Sequence, residues 1–139
     1  MGLVYSIVQY QGKVVFADYS NNCIRTFKRA DLLTSLMSGS PDGPGGDDLG
    51  SFEVARFRKP KSMHYDPKGH CIYVTVEFYK KIKKLDLETE MVTDILTLNL
   101  KPYGVYRSPF DDTFFAYHEH EILMWNDGES PTVLLGKLL

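Results

Sequence analysis

The chain has 139 residues, 43% of them hydrophobic and 13% aromatic, with a formal net charge of −2. That length is one domain with enough apolar mass for a core, and the balanced charge excludes a global pull toward nucleic acid or an acidic membrane. No stretch reaches the roughly 18 apolar residues of a membrane span, and no basic-then-apolar leader opens the chain, so no membrane partner is expected.

Period-two alternation broken by turn residues predicts the elements in order. Four short strands are expected at 3–9, 13–18, 23–28 and 32–37, with Gly12 and Asn21-Asn22 at turns. The stretch Arg29 to Met37 is the one helix-like candidate, and the repeat described below makes it a turn and outer strand instead. A Gly-, Pro- and Asp-rich connection over 38–54 then reads as a surface loop. Strands follow at 61–66, 71–76, 81–86 and 91–96, and again at 103–107, 113–117, 120–125 and 131–135.

These twelve strands are three copies of one unit. Pro60 stands over Pro102, Pro67 over Pro109, and Ile72-Tyr73-Val74 over Phe114-Phe115-Ala116, all without a gap at a spacing of 42 residues. Such a period belongs to propeller blades. In the first copy Gly12 aligns with Gly69, Val15-Phe16-Ala17 with Ile72-Tyr73-Val74, and one inserted residue then brings Ile24 onto Ile82. In the third copy Ile122 takes that place after a hairpin shortened by two.

The middle copy resembles an NHL repeat. It carries a Gly-rich acidic loop from Gly43 to Gly50, then Ala55-x-Phe57-x-x-Pro60, Asp66-Pro67-Lys68-Gly69, Ile72-Tyr73-Val74-Thr75, and Ile82-Lys83-Lys84-Leu85-Asp86. The first copy adds Phe16-Ala17-Asp18, and the third is diverged, with Tyr117 where Asp18 stands. The resemblance implies an all-β fold: a segment of three four-stranded antiparallel blades in a single domain over 1–139. The blades are expected at about 2–38, 55–97 and 101–136. Propellers close with typically four to eight blades, so the segment is expected to complete a larger, six-bladed ring by association or as part of a longer chain.

The expected function is a non-catalytic protein-interaction scaffold, with a protein partner or a homodimer closing the ring. One alternative is an RNA-binding propeller using the basic second repeat, Arg56, Arg58, Lys59, Lys61, Lys80, Lys81, Lys83 and Lys84, interleaved with Phe57, Phe78 and Tyr79. The other is one part of a metal-dependent lyase or hydrolase ring, whose ligands would come from more blades than three.

His118 and His120 at i, i+2 on a strand would share a face as a metal pair does, although the family register puts them in a hairpin turn. Asp42 to Asp48 lacks both the Gly-Lys-Ser/Thr of a phosphate loop and the alternating carboxylates of a calcium loop. Asp18 reads as a turn acceptor. No cofactor is implied. Cys23 and Cys71 form no CxxC and read as reduced, buried thiols, which suits an intracellular, cytoplasmic setting.

Overall fold

The computed structural model describes residues 2–135; Met1 and residues 136–139 lie outside it, including the last residue expected for the third blade. Among the described residues every regular element is a strand. The first sheet is β1 (Val4–Tyr10), β2 (Lys13–Asp18), β3 (Cys23–Lys28) and β4 (Thr34–Gly39), paired in chain order. A two-residue strand, β5 (Gly50–Ser51), follows. The second sheet is β6 (Pro60–Asp66), β7 (Cys71–Val76), β8 (Lys81–Asp86) and β9 (Met91–Thr97), with β5 added on the outer edge of β9. The third is β10 (Gly104–Arg107), β11 (Phe114–Tyr117), β12 (Ile122–Trp125) and β13 (Thr132–Leu135). All pairings are antiparallel.

The all-β, three-sheet expectation holds, and most strand bounds fall within two residues of those read from the sequence. The sheets stack through their first strands: β1 packs on β6, and β6 on β10. The middle sheet is therefore covered on both faces. Along β7, Ile72, Val74 and Val76 join Val15, Ala17 and Ile24 of the first blade in one apolar core. The alternate residues Cys71 and Tyr73 join Val105, Phe114, Ala116, Leu123 and Trp125 of the third blade in another. This alternation explains why β7 is buried at all six positions.

Three readings need correction. The outer strand of the first blade starts at Thr34, not 32, because Leu32 adopts a left-handed backbone (φ 58°) and Asp31 accepts a hydrogen bond from the Leu33 amide in a local turn. The segment 38–54 is not all loop, since Gly50 pairs with Val92 and Ser51 with Met91.

The third correction concerns the extra residue placed after Ala17. Asp18 pairs with Cys23 and Val76 with Lys81, so these two hairpins have equal length. The length difference sits in the preceding turn, which is Gln11-Gly12 in the first blade and Pro67 to His70 in the second. Val15 is thus the counterpart of Tyr73, not Ile72. A one-residue slip exchanges the two faces of a strand, which is why a loose alignment misses it. The same register puts His118, not Tyr117, at the position of Asp18.

Candidate interaction site

The eight cations of the second repeat do not form one surface. Arg56 turns back on its own loop, its Nη1 donating to the carbonyls of Glu53, Val54 and Ala55. Arg58 stacks on Phe78, 3.6 Å from the ring centre. Lys81 and Lys83 are clamped by two carboxylates: Lys81 Nζ lies 2.5 Å from Asp47 and 2.9 Å from Asp94, and Lys83 Nζ lies 2.7 Å from each. The Lys83 side chain has no exposure at all. Alternation puts Lys83 on the strand face opposite Ile82, which by itself would leave the lysine in solvent, but the Gly-rich loop folds over it and delivers Asp47. Lys84 is half-buried, and Lys80 is exposed in the β7–β8 turn.

Burial pushes the Asp47 carboxyl up, yet the hydrogen bonds from Lys81 and Lys83 outweigh it and hold the group below the usual carboxylate range. Hydrogen bonds to Asp47 and Asp94 raise Lys81 in turn. The quartet fastens the loop to the second blade.

Lys59 and Lys61 do come together, with partners drawn from all three blades. Lys61 Nζ sits 4.9 Å over the Tyr5 ring and 4.5 Å over the Tyr103 ring, and donates to Glu77 Oε2 at 3.3 Å. Glu77 accepts a second hydrogen bond from the Tyr19 hydroxyl at 2.9 Å. Lys59 Nζ lies 4.9 Å over Tyr19, whose ring meets Tyr5 edge-on at 5.0 Å. Lys101, the counterpart of Lys59 by the Lys-Pro pairs, reaches within 4.0 Å of Glu77. Burial, then the bond to Glu77, pushes the Tyr19 hydroxyl up to about 12, so it stays a donor at neutral pH.

Tyr5 lies at the start of β1, Tyr19 just after β2 and Tyr103 just before β10, all at the same end of the stack. Two ammonium groups, Lys61 and Lys101, meet the one Glu77 carboxylate, and a third, Lys59, lies over the neighbouring Tyr19 ring, so cations outnumber anions at this end within a chain of net charge −2. Its chemistry is that of a binding surface: fixed cations against aromatic walls, suited to an anionic group. Sequence reasoning missed the tyrosines, which lie up to 98 positions apart. The repeated Lys-Pro was the available signal.

The two histidines separate. His118 is buried in the β11–β12 turn, its Nε2 2.9 Å from Glu121 Oε2, while the His120 side chain is 74% exposed. His118 and Glu121 close their hairpin as Asp18 does its own, which accepts from Asn21 Nδ2, Arg25 Nε and the Gly2 amide. Burial raises the Asp18 carboxyl, and those bonds together overcome it and depress it. Among the described residues no three His, Cys, Asp or Glu side chains are grouped to hold a metal ion. Cys23 and Cys71 are free and buried, and burial pushes both thiols up. No described helix is long and apolar enough to cross a membrane.

No family model and no curated protein matches the chain. Among solved structures, it is similar to a chain of the nidogen/laminin complex, at 12% identity and a TM-score of 0.75, covering 99% of this chain and 50% of that one. It is also similar to virginiamycin B lyase from Staphylococcus aureus, a catalytically inactive variant with quinupristin, at 16% identity and a TM-score of 0.65 over 94% of this chain and 40% of that one. Hydrazine synthase from Kuenenia stuttgartiensis gives 13% identity and a TM-score of 0.66 over 90% and 33%. The chain thus spans a third to a half of the length of these proteins. The likeness is one of fold: the three sheets are blades of the β-propeller type.

Proposed function

We propose that the chain is a non-catalytic protein-interaction scaffold of NHL type, a single domain with blades at about 2–38, 55–97 and 101–136. The observation that carries it is the pair of uncovered blade faces. On the first blade Val4, Ile7, Phe16, Phe27 and Leu32 line an open apolar recess, with Ile7 62% exposed. On the third, Phe115 is partly exposed and Tyr117 and Leu134 are 52% and 45% exposed, while Tyr106 beside Phe115 also meets His64 of the middle blade at 4.9 Å. The middle blade shows what such faces do when covered: both of its own are core.

The preferred occupant is a second copy, the two chains closing six blades. Covering apolar surface is favourable by roughly 25 cal/mol per Å², from which the cost of association is subtracted. Sedimentation equilibrium of the 139-residue chain should give a dimer at micromolar concentration, weakened when Ile7 is changed to Asp. A monodisperse, thermally stable monomer would sink the self-association reading. NHL character draws support from Ala55, Phe57 and Pro60, the motif residues, all of which are buried. The pairing of Lys81 and Lys83 with Asp47 and Asp94, and of Arg56 with its own loop, favours the scaffold reading over the RNA-binding one. The likeness to a lyase lies at the level of fold.

A further inference from the structure

The two clefts between blades are built alike and finished differently. After β4 the chain makes a connection over 40–59 before entering β6, whereas after β9 it needs only 98–103 to reach β10. The longer connection sends residues back between the blades. Ala55 and Phe57 are completely buried there, the Phe57 carbonyl accepts from the Gly46 amide, and the Lys59 amide donates to Asn22 Oδ1. Asp47 from the same segment reaches Lys81 and Lys83. This cleft is filled by a looped strip, closed on itself by the Gly46 amide on the Phe57 carbonyl and the Arg56 amide on the Asp48 carbonyl, which offers the Phe57 ring from one arm and the Asp47 carboxylate from the other.

Among the described residues the cleft between the second and third blades has no such strip. It holds two adjoining cavities of about 230 and 310 Å³, separated by Leu100 and His118. These are at or under the lower end of the roughly 300–1,000 Å³ of small-molecule pockets, and fit side chains of a peptide better. The inner one is walled by Leu98, Leu123 and Val133 and closed by the His118–Glu121 pair. By strand register Leu123 and Val133 stand where Lys83 and Asp94 stand in the second blade, so the ionic quartet gives way to an apolar floor. The outer cavity opens between Lys80, Lys101, Tyr103 and His120, with one carboxylate, Glu119, on its rim against the two lysines. Leu100 and Val133 are each 50% exposed, which is what an unfilled cleft leaves.

We propose that this second cleft docks an extended acidic peptide segment of a partner protein. One large apolar side chain enters the inner cavity, and a carboxylate beside it meets Lys80 and Lys101. The chain's own segment 45–58 is the precedent for an occupant of that chemistry in the neighbouring cleft. The inference rests on the scaffold reading in that the ligand is a protein, but its site is separate from the uncovered end faces.

The test uses fluorescence anisotropy with the whole chain and a fluorescein-labelled decapeptide bearing a single phenylalanine flanked by aspartates. Binding at low salt that weakens as salt rises is expected. Changing the peptide's phenylalanine to alanine should cost roughly tenfold or more in affinity, as for a buried hot-spot residue. The double change Lys80→Glu, Lys101→Glu should cost about as much, and Val133→Trp should block the site by filling it, with the thermal transition of each variant verifying its fold. The dimer expected above should survive the lysine changes.

Equal binding of the alanine peptide would reduce the effect to bare charge attraction and overturn the proposal. So would the absence of any binding at low salt, preference of the two lysines for oligouridylate, or loss of the dimer together with peptide binding. Sedimentation alone decides the end-face reading, so the two can fail separately.

Discussion

The first and second blades meet mainly across aliphatic side chains, with one stacked Tyr10–Tyr65 pair and an inserted strip of backbone, while the second and third meet around a larger aromatic cluster and one arginine. In the first contact Val15, Ala17 and Ile24 face Ile72, Val74 and Val76, with Ala55 and Phe57 sealing the wedge. In the second, Phe114 stacks on Trp125 at 5.1 Å and takes the edge of Tyr73 at 5.0 Å. Arg107 lies over Phe114 at 4.3 Å, donates to the Tyr73 hydroxyl at 2.8 Å and pairs with Asp127 at 2.7 Å. Burial pushes the Tyr73 hydroxyl far up, so it stays protonated at neutral pH while its oxygen accepts from Arg107. One contact closes by sealing the wedge between blades; the other spans that wedge with large rings and leaves cavities beside them. The same strand plan thus yields a closed joint or an open one, according to the length of the connection.

The largest expected effect separates these joints directly. Phe57→Ala removes a fully buried plug and should destabilise by about 3–5 kcal/mol in urea denaturation. Leu98→Ala, in the half-buried counterpart connection, should cost only about 1 kcal/mol. Equal losses would abolish the contrast.

Acid should sharpen it. Asp47, in the first joint, has a carboxyl depressed by its partners, as does Asp18 within the β2–β3 hairpin of the first blade. A depressed carboxyl contributes stability that is complete above its unfolded-state value and lost as pH falls through its folded-state value. Below the ordinary carboxylate range near pH ~4, amides of segment 45–58 should therefore lose hydrogen-exchange protection before those of β11 and β12. The raised Lys81 acts in the opposite sense, its share being complete below the ordinary lysine value and lost at higher alkaline pH. Earlier opening of the third blade in acid would contradict the assignment. The smallest effect belongs to the rim of the second joint: the Lys68–Asp112 pair, with side chains 63% and 47% exposed, should give up no more than about 0.5 kcal/mol on Lys68→Ala by the same denaturation measurement.

Much of this fold was legible because strands write themselves locally. Alternation and turn residues located β2, β3, β7 and β8 to the residue, and the paired prolines placed Pro67 and Pro109 in equivalent turns. What escaped was non-local. Lys83 looked solvated because its burial is imposed by Asp47, 36 positions earlier in the chain. The tyrosine cluster around Lys61 draws on residues 5, 19 and 103, and no window of sequence holds them together. Leu32 misled the placement of β4 because a left-handed leucine carries none of the glycine or asparagine signal that announces such a turn. The cavities beside His118 reflect a missing segment, and a short connection reads as nothing at all.

The stacking order has a consequence for cooperativity. The middle blade contributes to both joints, whereas each end blade has a single one, so this is a short one-dimensional chain of coupled units. Releasing an end blade breaks one joint; releasing the middle blade breaks two. Thermal openings therefore enter from the ends, on the blades that also carry the exposed Ile7 and Tyr117. Whatever binds those faces gives each end blade the second neighbour it lacks, and so quiets the fluctuations of the units most prone to them.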